Sequence, residues 1–467
     1  MAERRAFVLG ISGATWSVMR PMIDAGALPN LERLCRSGVS GTLASVKAPG
    51  DKHYRPQTAW PSLATGRRPE HHGITRFFHT SDDLLVPTIW QLLSSSGRSV
   101  GLFGWPMTWP PRPVNGFDVP CHHARDGRTW PPELEVRQAA SSRLRIRGAL
   151  AGLGRLARQG VLWSEMPRLT RAACRIAAER DPRRRRLLLA HLKQEIACEL
   201  FCKYSRAFRP HASAFVTFLV DWTEHRYWRY REPGEFPDAD GAVNGALASA
   251  IADAYAKADA FLGRITAALP DDAVVAVISE HGMAAERVPA EVGRWQYTID
   301  GARLRRVVEL PAGVEPRPIA RWIAFRPGNG CPLPPDTIDR LRDVRVAASG
   351  VPLFQVYEHR DEVIVKFDLS RAVDCAGGDA LDLQGLRLRW RGRDVPFLDV
   401  ARRGDRPRSA MHTEEGVFVL SGPGIRRGGR IDGARIIDFA PTLARAMGCS
   451  FPDWTVDGRP LDVFSAA

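Results

Sequence analysis

Five residues of this 467-residue chain pair metal-ligand chemistry with suitable settings: Asp221, His225, Glu280, His281 and His412. Asp221 closes the apolar run Ala214–Val220, and His225 follows four residues later. Glu280 and His281 come just after a second apolar run, Ala273–Ile278, and His412 lies shortly before a third, Val417–Leu420. Carboxylate oxygens and neutral imidazole nitrogens are good donors to zinc and similar divalent cations. A lone histidine is ordinarily a hydrogen-bonded side chain. Three near strand ends, two of them beside carboxylates, point instead to a metal centre. Zinc is the expected ion; manganese and iron suit the same donors.

Those groups need strands to present them. In an open α/β sheet, functional side chains gather beyond the carboxyl ends of parallel strands. Ala6–Ile11, Ser99–Trp105, 214–220 and 273–278 read as buried strands, being almost wholly apolar. Helical patterns separate them: one opens at Leu28-Pro29-Asn30-Leu31 and stops near Gly38, another starts over Pro87–Leu93, and Val243–Leu269 is long and alanine-rich. Asp438–Met447 is a further helix. Strands alternating with helices predict an α/β fold, a mostly parallel central sheet flanked by helices.

Two stretches depart from that pattern. Residues 137–209 are rich in Ala, Leu and Arg, include Arg183-Arg184-Arg185-Arg186, and read as a basic helical insertion. The run is either a surface for phosphate, lipid headgroups or nucleic acid or a solvated helical face. Residues 300–400 are proline-rich and strand-prone, with Glu362–Phe367 one strand, and read as a cap. The predicted division is core 1–136, insertion 137–209, core 210–299, cap 300–400 and core 401–467.

The net charge of +14 suits an anionic, phosphorylated substrate, while no nucleic-acid-binding motif accompanies the basic runs. The eight cysteines form no CxxC pair and read as small buried residues. No apolar run reaches the roughly 18–20 residues that span a bilayer. The expected location is cytoplasmic, because the apolar start reads as a core strand and lacks a signal-peptide pattern.

In chain order, Val8–Trp16, Leu28–Leu31, Ala64-Thr65-Gly66, Pro69–Ile74, Asp221/His225, Ser279–Met283, His412, Gly416–Ile425 and Asp438–Thr442 together resemble the type I phosphodiesterase/nucleotide pyrophosphatase branch of the alkaline-phosphatase superfamily. The resemblance covers the core segments and neither variable stretch. It implies two metal ions and a metal-bound Thr or Ser attacking phosphorus. Asp221, His225 and His412 match one ligand set; Glu280 and His281 match part of the second, with Glu where Asp is usual. Ser12 stands where the family has an Asp ligand, and Pro56 where it has the nucleophile. Thr58 lies two residues along and could substitute if the loop is displaced, so the implied nucleophile is Thr58 or a metal-activated water. His53 and Asp51 in the same loop read either as a base or replacement ligand or as surface loop residues. Gly10 and Gly13 read as turn residues, and His71-His72-Gly73 as a structural turn. His122 and His123, adjacent in sequence, are expected to point apart.

The reading is a metal-dependent phosphoester hydrolase of phosphodiesterase type. Ser12 and Pro56 keep two others open: a non-hydrolytic member binding an anionic ligand or a partner, and a single-metal biosynthetic enzyme with different chemistry.

Overall fold

The computed structural model describes residues 4–134, 166–236, 247–286, 297–319, 322–328, 330–368, 385–403, 409–451 and 454–465, with positions 245 and 383. The chain divides into two compact units, Met1–Glu286 with Ser409–Ala467, and Arg287–Arg408.

The first unit is built on an eight-stranded sheet. Its strands are β1 (Ala6–Ile11), β2 (Val39–Ala44), β3 (Val100–Phe103), β4 (Gly116–Val119), β5 (Ala212–Thr217), β6 (Val274–Ile278), β9 (Glu415–Ser421) and β10 (Arg430–Arg435). They lie in the order β10-β2-β9-β6-β1-β5-β3-β4. Only β9 runs against its neighbours β2 and β6; every other pairing is parallel. Two short strands, β7 (Gly282–Ala285) and β8 (Ala410–Thr413), pair antiparallel beside this sheet.

Strict alternation along the central strands builds a core on each face. Phe7, Leu9, Phe215, Val275, Val277, Val417 and Val419 enter one. Ala6, Val8, Ala214, Val216, Ala276, Phe418 and Leu420 enter the other. The first face is covered by helices α1 (Trp16–Asp24), α2 (Pro29–Ser37), α5 (Met166–Ala178), α6 (Pro182–Phe208), α7 (Leu219–Arg231) and α8 (Ala250–Thr266). The second is covered by α3 (Pro56–Thr65), α4 (Ile89–Ser95) and α9 (Phe439–Ala446). The result is the expected α/β architecture, with a mostly parallel sheet between helical layers.

The basic helix α6 is more than a solvated face: Leu192, Ile196, Leu200 and Phe201 are buried in the first core. At its start Arg183 donates to the Tyr230 hydroxyl and Arg185 to the Glu179 carbonyl, while Arg184 lies 3.5 Å from Glu179. The early part of the stretch read as an insertion, 137–165, lies outside the described residues. No helix among the described residues is long and apolar enough to cross a membrane.

The second unit has its own core, including Phe325, Phe397 and Trp390. It holds a four-stranded antiparallel sheet, ordered Phe354–His359, Glu362–Phe367, Trp322–Arg326, Glu315–Ile319.

Candidate metal centre

The register of the sheet brings three strand ends together: Ile11 pairs with Thr217, and Gly10 with Ile278. Ser12, the segment after Thr217, and Ser279-Glu280 therefore share one edge. Asp221 does not close β5, as the apolar run suggested. The strand ends at Thr217, and Asp221 sits in the first turn of α7, with His225 one turn on. The Asp221 amide donates to Ser12 O at 3.0 Å, tying this helix to the turn after β1. That turn needs Gly13, whose φ is +82° and where a Cβ would press on Asp221 Cα. Gly10 has another role: a side chain there would collide with the Trp60 ring.

His412 arrives on β8, opposite Met283 of β7, so that pairing sets it beside His281. The two rings stack at 3.8 Å. Asp221, His225 and His412 form the one potential ligand cluster of three or more among the described residues, their donor atoms lying within 4.8 Å of one another. His225 Nδ1 lies 2.7 Å from Ala410 O, and His412 Nδ1 lies 2.8 Å from Tyr54 O. A carbonyl only accepts, so both Nδ1 atoms carry the proton, and in the neutral rings both Nε2 atoms are bare. Yet the two Nε2 atoms are 2.9 Å apart, and lie 3.4 Å and 3.1 Å from Asp221 Oδ1. Lone pairs crowded this way repel unless a proton or a cation lies among them. Backbone carbonyls that fix the imidazoles are the usual second layer of a metal site. The donor set therefore fits a divalent cation, which would supply Lewis-acid polarisation of a phosphoryl oxygen. Burial works against ionisation of Asp221, but His225 and His412 outweigh it and hold the carboxyl well below its ordinary value. Burial, then the charge of His281, lowers His412.

The second set is poorer. Ser12, Glu280 and His281 are fully buried, and the Ser12 hydroxyl donates to Glu280 Oε1 at 2.6 Å. His281 Nε2 lies 3.2 Å from the same oxygen but makes no hydrogen bond. Burial opposes both charges, yet each group favours the charged form of the other, moving Glu280 below and His281 above its ordinary value. One carboxylate, one imidazole and a hydroxyl make a weaker seat than a carboxylate with two imidazoles.

Pro56 opens α3, where its fixed φ is favourable and its missing N–H costs nothing. Thr58 is fully buried, its hydroxyl donates to Arg55 O, and no hydrogen bond joins it to the histidine cluster. Asp51 is paired with Arg55, and His53 is exposed. His72 is buried against Ser62 Oγ, with its pKa pushed down to about 4 by burial, so this turn is structural.

His122 and His123 depart from expectation. They lie in a turn closed by the Ala124 amide on Cys121 O, so their rings sit side by side, 4.0 Å apart, instead of on opposite sides. Both pack against Phe218, the residue capping α7. Sequence spacing alone carried no signal for this pairing.

A family model for type I phosphodiesterase / nucleotide pyrophosphatase matches residues 6–309. Among solved structures, phosphonoacetate hydrolase from Sinorhizobium meliloti 1021 is similar at 15% identity over 96% of each chain, with a TM-score of 0.44. Human ectonucleotide pyrophosphatase/phosphodiesterase 5 is similar at 12% identity over 97% of each chain, also with a TM-score of 0.44. No curated protein matches this chain.

Proposed function

The chain belongs to the type I phosphodiesterase/nucleotide pyrophosphatase family, within the alkaline-phosphatase superfamily, and on that premise we propose that it hydrolyses a phosphoester, with a divalent cation held by Asp221, His225 and His412. The observation that carries this reading is the crowding of the His225 and His412 Nε2 atoms, 2.9 Å apart and 3.4 Å and 3.1 Å from Asp221 Oδ1. Zinc suits that donor set best, and manganese or iron are accommodated. Glu280 and His281 form the weaker second seat. The nucleophile in this reading is water, because the Thr58 hydroxyl is committed to Arg55 O. Water adds to phosphorus, the ester P–O bond breaks, and an alcohol or phenol leaves. Ala410 O and Tyr54 O hold the two imidazoles in the tautomer that presents Nε2. An anionic substrate matches the excess of basic residues.

The test is turnover of bis-p-nitrophenyl phosphate by zinc-loaded protein, with metal content measured on the same samples. His225→Ala should lose both bound metal and turnover. Thr58→Val should keep both. Full metal content with no turnover in the unaltered chain would overturn hydrolysis and favour a binding protein or a different single-metal reaction. Loss of turnover in Thr58→Val with metal retained would return the nucleophile to Thr58.

A further inference from the structure

The imidazoles of His122 and His123 are not needed to hold the cation, yet their position ties them to the same edge of the sheet. They follow β4, whose carboxyl end is parallel to that of β3 and hence to β5. Phe218, on which both rings rest at 4.7 Å and 6.0 Å, is three residues before Asp221. The segment 54–57 joins the two groups directly. Tyr54 O orients His412 at 2.8 Å, while Gln57 Nε2 lies 3.3 Å from His123 Nε2 at the start of α3. The pair and the metal triad are therefore two flanks of one short stretch of backbone.

Chemically the flanks are opposites. The triad offers lone pairs. The pair offers N–H donors, one on each neutral imidazole, with the Gln57 amide donating to His123 Nε2 and so leaving that ring's proton on Nδ1. Both histidines are exposed to solvent, and the partial desolvation of the rings where they pack on Phe218 lowers both imidazoles, His122 to about 4. They are thus neutral near pH 7, and each keeps one N–H to donate. The positive charge of Lys193 reaches His122, and the negative charge of Asp221 reaches both rings. Neutral N–H donors of this kind are suited to an anion's oxygen atoms where a bound cation offsets the Asp221 charge.

We propose that His122, His123 and Gln57 form an anion-binding subsite that takes a phosphoryl oxygen of the substrate, beside the cation held by Asp221, His225 and His412. The proposal rests on the phosphoester reading for the identity of its anion. It gives the chain donors for the phosphoryl group on the flank away from the weak second seat. Positioning an oxygen this way contributes through orientation and preorganised hydrogen bonds.

The test uses inorganic phosphate as probe. Its affinity for zinc-loaded full-length protein is measured by calorimetry in the unaltered chain, in the His122→Ala/His123→Ala double variant, and in Gln57→Leu. Metal content and circular dichroism are read on each. The expected result is phosphate binding weakened about tenfold in the double variant, equivalent to about 1.4 kcal/mol, with metal content unchanged. His122→Asn/His123→Asn, which keeps N–H donors, should recover part of the affinity and shows that packing alone is not responsible. Equal phosphate affinity in all variants would overturn the subsite, as would loss of the metal from the double variant, which would make these residues ligands instead. An unaltered chain that binds phosphate through these residues but turns over no ester would overturn the hydrolase reading and leave the subsite standing.

Discussion

The hydroxyl of Ser12 donates at 2.6 Å to a fully buried Glu280, so a carboxylate in its place would set two buried anions in contact. Ser12→Asp should therefore cost the metal-free protein about 3–5 kcal/mol, the scale of an uncompensated buried charge. Zinc should reverse that loss, because the new carboxylate completes the second seat. Thermal melts with and without zinc, read beside metal content, check this. An unchanged metal content, with no rescue, would show that the seat cannot be completed. Four of the five candidate ligands stood out in the sequence because they fell just beyond apolar runs, and His412 because it fell shortly before one. What the sequence lacked was the tautomer argument, which depends on the carbonyls of Ala410 and Tyr54, residues with no side-chain signal for that role. His122 and His123 were missed for a related reason: a turn, invisible in residue types, overrode the alternation of an extended chain.

Strand β4 lies at one edge of the sheet and buries Asp118, whose Oδ1 has no hydrogen-bond partner. Burial pushes its pKa well above the ordinary 3.8, against a smaller opposing contribution from the Thr108 hydroxyl. Between those two values the unfolded chain has released the proton and the folded one has kept it, so stability falls as pH rises through that window. Asp118→Asn should flatten this dependence. It should add about 1–3 kcal/mol at neutral pH, the scale of an unmet buried polar group, and little below the ordinary value. Urea unfolding at about pH 3 and about pH 8 measures both. At this scale the central strands were readable because burial on both faces leaves near-continuous apolar runs. The end of β5 was not: Phe218, Leu219 and Val220 stay apolar while the backbone turns into α7, and a short apolar run does not distinguish strand from buried helix start.

The molecule carries 66 basic and 52 acidic residues, and many arginines are already matched: Arg168 and Arg264 both pair with Glu195 and Glu199. The surplus still sets the sign of the overall field. The KM for bis-p-nitrophenyl phosphate should rise several-fold between about 20 mM and about 300 mM salt, as screening shortens the reach of that field. A flat KM would mean that the net charge has no part in substrate capture. The two compact units also lay down the first unit in two instalments, before residue 287 and after residue 408. The second instalment supplies β9, which fits between β2 and β6, and His412. On a ribosome, the chain up to residue 408 would emerge with both flanking strands showing open edges and with two of the three proposed ligands waiting for the third. Nascent chains stalled anywhere before β8 should thus neither hold the proposed cation nor close their sheet, which leaves late translation as the interval of greatest exposure for those two strand edges.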